Sequence, residues 1–495
     1  MGNGTLLGTI AKHLDHKNDQ LAFCINQQSF SYAELATRVS GIMDLLKAKQ
    51  IPAQTRIGLL ATDQIETYAS ILALWYSRMV FVPISPANPP ERNQSMREQA
   101  GITYLLSADS KEAQKSIDTE GIELLETQQL SSRSAIVPPP SGNNEDLLYI
   151  LFTSGSTGQP KGVPISVGNL QAYVDAFFGI GYELDNRDRF LQIFDFTFDV
   201  SVQSYVLPLY LGASVYTVPQ DGIRFLAALK ILQQHQITFA KLVPSTLLFF
   251  KPYFRKIHLP ALRYSLFSGE ALPEAITREW SACVPNAIIE NHYGPTEATI
   301  DCLSYRWNTA KECSYNGIVS IGSPFEGMEA RIVKKNGQPA SANEKGELWI
   351  SGKQLTPGYW KNGQKNREAF VQEGGKRFYK TGDLVFQDDT GHFMFCGRID
   401  NQVQIQGYRV ELGEVEYQIK KWLPGHLVVD TYQDKGVLSL VLFVEGAAPS
   451  ETTSVQQKLQ ASLPHYMIPS KVVYVEEIPR TVSGKTDRKA LQKLL

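Results

Sequence analysis

The chain is poor in the residues from which small scaffolds and metal centres are built. Its five cysteines (Cys24, Cys283, Cys302, Cys313 and Cys396) are odd in number, scattered and never spaced as C-x-x-C, which argues against a disulfide framework or a zinc ribbon. The eight histidines supply no H-E-x-x-H and no cluster with ligand spacing, so no transition-metal centre is expected. Long hydrophobic runs are missing too. The most apolar stretch, Ala69 to Val82, is interrupted by Ser70, Ser77 and Arg78 and is too short to span a bilayer. Neither sign of charge is in excess: 48 basic against 50 acidic residues leave a net −2, which points to neither nucleic acid nor an anionic membrane as a partner. The N-terminus has no basic region leading into an apolar run, so no secretory leader is read there and a cytoplasmic location is expected.

What is present suits a large folded enzyme. The 495 residues are 43% hydrophobic and 20% charged, enough for two to four domains at about 150 residues each. Helical patterns alternate with short β-branched runs. Leu35, Val39, Ile42, Leu45 and Leu46 fall at helical spacing within Tyr32 to Lys47, followed by a strand at Arg56 to Ala61, a helix ending near Tyr76 and a strand at Met79 to Ile84. That is a βαβ rhythm and implies layered α/β structure. A Pro/Gly/Asn loop at Val137 to Asn144 separates this unit from an apolar strand at Leu147 to Phe152. Beyond Gly397 the pattern changes to a short connector, a helix at Glu411 to Trp422 and strands at Leu427 to Tyr432 and Leu438 to Val444, as in a small α+β domain.

The most informative segment is Leu151-Phe-Thr-Ser-Gly-Ser-Thr-Gly-Gln-Pro-Lys-Gly-Val163. Its glycines permit tight turns and close anion approach, its hydroxyls offer donors, and Lys161 brings a positive charge; together these read as a phosphate cradle. It is not a Walker loop, because Gln159 follows Gly158 where lysine is required, and Gly484-Lys485-Thr486 fails because Pro479 stands where its first glycine should be.

Further motifs follow in order: Ser268-Gly-Glu-Ala-Leu-Pro273, Asn291-His-Tyr-Gly-Pro-Thr-Glu297, Gly346-Glu-Leu-Trp-Ile-Ser-Gly352, Tyr379-Lys-Thr-Gly-Asp383, Gly397-Arg-Ile-Asp400, Gly407-Tyr-Arg-Val-Glu-Leu-Gly-Glu414 and Pro479-Arg-Thr-Val-Ser-Gly-Lys485. With the glycine-rich loop they resemble, over nearly the whole chain, the adenylate-forming superfamily of acyl-CoA synthetases, luciferases and nonribosomal peptide adenylation domains. The resemblance implies an α/β fold: a large N-terminal domain of layered subdomains (1–399) and a small mobile C-terminal α+β domain (400–495) turning on a hinge at Asp400. It implies ATP and Mg²⁺ as cofactors, and two steps. A carboxylate attacks the α-phosphorus to give an acyl-adenylate and pyrophosphate, then a thiol displaces AMP. Attack of one anion on another calls for neutralisation and alignment rather than a general base.

Residue by residue, the resemblance assigns Lys485 to bridge substrate carboxylate and α-phosphate, Thr296 to bond the α-phosphate and Glu297 to ligate magnesium. Thr153, Ser154, Ser156, Thr157 and Lys161 hold the outer phosphates, with Gly269 and Glu270 counted in the nucleotide site. Tyr293 stacks on adenine, Asn291 reads its amino edge, Asp383 accepts the ribose hydroxyls and Arg398 assists there. Relatives usually carry Lys and Arg in the strand after the hinge, where this chain has Gln404 and Gln406; a second-step role needing charge there is not expected.

Asp199, in Phe198-Asp-Val-Ser201, matches the aspartate that amino-acid activators pair with the substrate α-ammonium. A buried amine needs such a counter-charge. Motif registration adds Val200, Gln203, Lys241, Leu266, Ser268, His292, Ile300, Asp301 and Lys485 to the substrate pocket. This polar lining suits aspartate, serine or asparagine: either Lys241 meets a side-chain carboxylate, or Asp301 neutralises it and leaves room for a hydroxyl or amide. With no carrier module readable after Leu495, the acceptor is expected to be the phosphopantetheine thiol of a separate carrier protein. A D-alanine–carrier protein ligase is the neighbouring alternative, and an acyl-CoA synthetase is disfavoured by Asp199.

Overall fold

The computed structural model describes residues 4–139, 143–155, 159–220, 223–310, 313–423, 425–434, 436–446, 457–480 and 486–495. The first βαβ unit forms where the periodicity placed it. The helix Tyr32–Ala48 opens on a capping box, with Ser31 Oγ accepting from the Glu34 amide and the Glu34 carboxylate accepting from the Ser31 amide. These bonds satisfy two of the amides that any helix start leaves unpaired. Leu35, Val39, Ile42 and Leu46 are buried along its inner face, while Leu45 stays partly exposed.

Among the described residues, strands Arg56–Leu60, Val80–Ile84, Tyr104–Ser107, Glu123–Glu126, Leu147–Thr153 and Lys161–Ser166 form a six-stranded sheet, parallel except where Lys161–Ser166 returns against Leu147–Thr153. A nine-stranded sheet has a parallel heart of Leu21–Ile25, Ser214–Thr217, Arg189–Gln192, Phe239–Leu242, Tyr264–Phe267 and Ile288–Tyr293. Two all-round buried helices, Ile65–Tyr76 and Asp199–Leu211, lie between these sheets, one packed on each. They meet through Tyr205, whose ring centroid lies 5.8 Å from that of Tyr68 and 6.3 Å from that of Trp75. The apolar stretch from Ala69 is thus an interlayer helix and strand. No described helix is long and apolar enough to cross a membrane.

A further five strands make an antiparallel sheet: Met328–Val333, Gly346–Gly352, Phe370–Glu373, Lys376–Gln387 and Phe393–Arg398. Beyond it come a hairpin, Gln402–Ile405 with Tyr408–Glu411, the helix Leu412–Lys420, and a three-stranded sheet of Leu427–Asp434, Val437–Glu445 and Lys471–Val475 around its own apolar cluster. The connector read after Gly397 is this hairpin. Its two-residue turn, Gln406–Gly407, has φ of 50° and 83°, the backbone sense that closes a right-twisted hairpin.

Candidate active site

Parallel strands leave their C-terminal ends open to ligands, and here those ends carry the motifs. Strand Leu147–Thr153 delivers Thr153 and Ser154, strand Tyr264–Phe267 delivers Ser268 to Glu270, and strand Ile288–Tyr293 delivers Asn291 to Tyr293 and then the 3₁₀ turn Thr296–Ala298. Ser156, Thr157 and Lys485 lie outside the described residues.

Glu297 is at the centre, fully buried. Its carboxylate accepts from Arg409 Nη1 at 3.0 and 3.3 Å and from the Tyr359 hydroxyl at 2.7 Å, with Lys161 Nζ at 3.9 Å. Burial alone would raise its pKa, but Arg409 and Lys161 overcome this and hold it at about 2. Lys161 is itself lowered to about 8, chiefly by burial and then by the neighbouring guanidinium. The hairpin turn presses into the same place. Glu270 accepts from the Ser245 amide at 2.7 Å and the Gly407 amide at 2.8 Å, so both its oxygens serve backbone here. Ser154 Oγ donates to Arg409 O at 2.8 Å. A side chain at Gly407 would lie 2.5 Å from Val243 Cγ1, so only glycine fits both the turn and the contact. A second buried pair, Arg92 Nη1 to Glu414 Oε1 at 2.7 Å, and the Gly155 amide donating to Glu414 Oε2 at 3.2 Å, tie the following helix to the large body.

The nucleotide-side residues are brought together. Tyr293 OH donates to Asp383 Oδ2, and Arg398 Nη1 donates to Asp383 Oδ1 at 2.6 Å. Arg398 also forks onto Asp400, with both bonds at 2.7 Å. Asn291 Nδ2 donates to Ser320 O at 2.9 Å, and among the described residues neither the buried Asn291 Oδ1 nor the buried Thr153 Oγ1 has a partner. Such orphaned polar atoms are costly unless a ligand meets them.

Asp199 opens its helix at the first position and is buried. No ion-pair partner is found for it among the described residues, and burial raises its pKa to about 7 against a hydrogen bond from Thr296. Gln203 follows one turn later. Lys241 Nζ donates to Gln203 Oε1 at 2.7 Å and pairs with Asp301 Oδ2. His292 Nδ1 lies 3.4 Å from that same oxygen, and its Nε2 lies 3.1 Å from Glu290 Oε2. Asp301 arrives on a strained turn: Thr299 and Ile300, both β-branched, have φ of 56° and 73°, a conformation such residues rarely adopt. Gln354 clamps the turn by donating to Ala298 O at 3.1 Å and Asp301 O at 2.7 Å. Gly294 lets it close, since a Cβ there would lie 2.3 Å from Ile300 O. Val200 is partly exposed, whereas Leu266, Ser268 and Ile300 are buried.

Arg409, Tyr359, Arg92, Glu290 and Tyr182 were not singled out from the sequence. Arg409 stood within a quoted motif, and a partly buried cation facing the fully buried Glu297 is the signal that marks it. Away from this site, Cys313, Asp388 and His392 each offer an atom within 4.8 Å of the others, but Asp388 Oδ1 is spent on its own turn, accepting from Thr390 and His392.

Residues 10–360 match the family profile described as AMP-binding enzyme. The chain belongs to this family. It is 32% identical over 482 residues to tyrocidine synthase 3 of Brevibacillus parabrevis, covering 96% of this chain and 7% of that one. It therefore spans a small part of such relatives. Identity is also 32% over 494 residues to zwittermicin A synthase ZmaJ of Bacillus cereus, covering 96% and 92% of the two chains. With the D-alanine–D-alanyl carrier protein ligase of Bacillus licheniformis it is 29% over 506 residues, covering 99% of each. Among solved structures, the Vibrio cholerae adenylation domain AlmE, bound to glycyl-adenosine-5'-phosphate, superposes with a TM-score of 0.86 at 26% identity, covering 100% of this chain and 98% of that one. The fold is that of family adenylation domains: a large N-terminal α/β part and a smaller C-terminal one.

Proposed function

We propose that this member of the family activates an amino acid: its carboxylate attacks the α-phosphorus of ATP, pyrophosphate leaves, and the phosphopantetheine thiol of a separate carrier protein then displaces AMP to form a thioester. The observation that carries this reading is Asp199, a buried carboxylate with no ion-pair partner among the described residues, placed one helical turn from the cluster of Gln203, Lys241 and Asp301. An α-ammonium group would pair it, whereas the amine-free acids of acyl-CoA synthetases would leave it unpaired. A D-alanine–carrier protein ligase is the second reading, favoured by the near-complete mutual coverage with that enzyme.

In this scheme Asn291 Oδ1 accepts the adenine amino group, Tyr293 stacks on the ring, and Asp383, oriented by Arg398, takes the ribose hydroxyls. Thr153, Ser154, Ser156, Thr157 and Lys161 hold the outer phosphates, and Thr296 and Lys485 meet the α-phosphate. Glu297 is a buried, ionised, hard oxygen donor, which fits a Mg²⁺ ion shared with ATP phosphates; bound there, the ion would offset phosphate charge. Arg409 occupies that carboxylate in the arrangement described, so metal-bound ATP and the hairpin strand Tyr408–Glu411 compete for one place. The large part (1–399) and the small part (400–495) would exchange these arrangements by turning at Asp400, one presenting Lys485 for adenylation and the other Arg409 for transfer. Neutral Gln404 and Gln406 then suit a hairpin whose charge is supplied by Arg409.

The experiment is amino-acid-dependent ATP–pyrophosphate exchange. Asp199→Asn should raise KM for the amino acid by about 30-fold, with KM for ATP nearly unchanged, because only the ammonium contact loses charge. An equal rise in both would place Asp199 elsewhere. The pH profile follows from two groups. Asp199 must be ionised to hold the ammonium, so kcat/KM falls below pH 7; Lys161 must be protonated to hold phosphate, so it falls above pH 8. At subsaturating ATP the expected maximum lies between these values, with about tenfold loss per pH unit outside them. A profile flat from pH 5.5 to 9.5 would contradict both assignments.

A further inference from the structure

The buried charges beside Asp199 bear on which amino acid is taken, an inference that rests on the amino-acid activation proposed above. Lys241 is 1% exposed, yet its ammonium is already compensated within the protein by Gln203 Oε1 and Asp301 Oδ2. Burial opposes ionisation of Asp301, but Lys241 and His292 hold its carboxyl far below the usual carboxylate range. A second layer keeps His292 in place: its Nε2 lies 3.1 Å from Glu290 Oε2 and 3.1 Å from Tyr182 OH, and Arg306 Nε donates to Glu290 Oε1 at 2.8 Å. A substrate carboxylate entering here would meet no free cation among the described residues, and would face the Asp301 anion.

After all these pairings, two buried polar atoms on the residues that hold Lys241 have no partner among the described residues: Gln203 Nε2, a donor, and Asp301 Oδ1, an acceptor. Gln203 is 1% and Asp301 0% exposed. Burying both without partners is costly, and a ligand group that accepts from one and donates to the other relieves the cost. A hydroxyl does this with one oxygen, and a carboxamide with its oxygen and its NH₂. A methyl group satisfies neither atom, and a carboxylate has no proton for Asp301.

We propose that the chain selects a small α-amino acid with a neutral hydroxyl or carboxamide side chain, the serine and asparagine class, through Gln203 Nε2 as donor and Asp301 Oδ1 as acceptor. Lys241 is then a positioning residue that orients both, rather than a partner for an acidic substrate.

The test is ATP–pyrophosphate exchange by the full chain with serine, asparagine, alanine and aspartate, in both enantiomers. Serine or asparagine should exceed alanine and aspartate in kcat/KM by about 10²-fold, as expected where a site built to hydrogen-bond meets an analogue that cannot. Two variants give an independent reading. Gln203→Met removes the donor and should bring the preference over alanine down about tenfold or more. Asp301→Asn frees Lys241 and should shift the balance toward aspartate by a similar factor. Wild-type preference for alanine or aspartate overturns this inference and leaves amino-acid activation standing. Absence of exchange with every amino acid, alongside exchange with an amine-free acid, overturns both.

Discussion

Lys485→Ala is expected to lower amino-acid-dependent ATP–pyrophosphate exchange by about 10³-fold, the scale on which loss of one preorganised cation at a developing charge is felt. The attacking carboxylate and the α-phosphate are both anions, and no base is needed to make the nucleophile; what the protein must supply is a charge that bridges them. The same variant, given preformed aminoacyl-adenylate, should pass the aminoacyl group to pantetheine at close to the wild-type rate, because in the arrangement described Arg409 supplies the cation beside Glu297. Loss of both half-reactions together would mean that Lys485 acts through stability or through both steps.

The converse split is expected for Arg409→Ala. Its guanidinium, 15% exposed, lies at 3.0 and 3.3 Å from the fully buried Glu297, and removing the cation from such a pair costs about 3–5 kcal/mol because the buried carboxylate is left behind. That cost falls on the arrangement in which the two meet. Transfer from preformed adenylate to pantetheine should therefore drop by about 10²–10³-fold, while exchange, for which the metal-bound nucleotide would stand against Glu297 instead, stays within about tenfold. Measured in parallel, the two variants form a crossed pair. Equal damage to both half-reactions by Arg409→Ala would refute the competition between hairpin strand and nucleotide.

The layered α/β fold was legible because its signals are local. The helix at Tyr32 carries its capping box and its apolar stripe within one stretch of chain, and the strands at Arg56, Val80 and Leu147 announce themselves as short apolar runs. The site was legible only through motifs, because its parts are far apart in sequence: Arg92 meets Glu414, and Lys161 and Arg409 converge on Glu297. No periodicity predicts such pairs. The motif reading also left open whether Lys241 awaits a substrate carboxylate or is neutralised by Asp301; only the fold, which sets Lys241 on strand Phe239–Leu242 beside Asp301 after the turn at Thr299 and Ile300, brings those charges together. The strain of that turn is invisible in sequence, since nothing about Thr-Ile forbids an ordinary extended conformation. Glu270 shows the opposite lesson. Its motif places it beside the nucleotide, yet in the arrangement described its oxygens serve the amides of Ser245 and Gly407, a use that depends on where the small part stands.

The central claim is that an amino acid is the acid activated. It is tested most directly by ATP–pyrophosphate exchange with the twenty amino acids, set against their des-amino analogues, such as propionate for alanine and 3-hydroxypropionate for serine. The account predicts exchange with at least one amino acid and about 10²-fold or greater loss when its α-amino group is removed, since Asp199 is then left buried and unpaired. Equal exchange with the des-amino acid would contradict it.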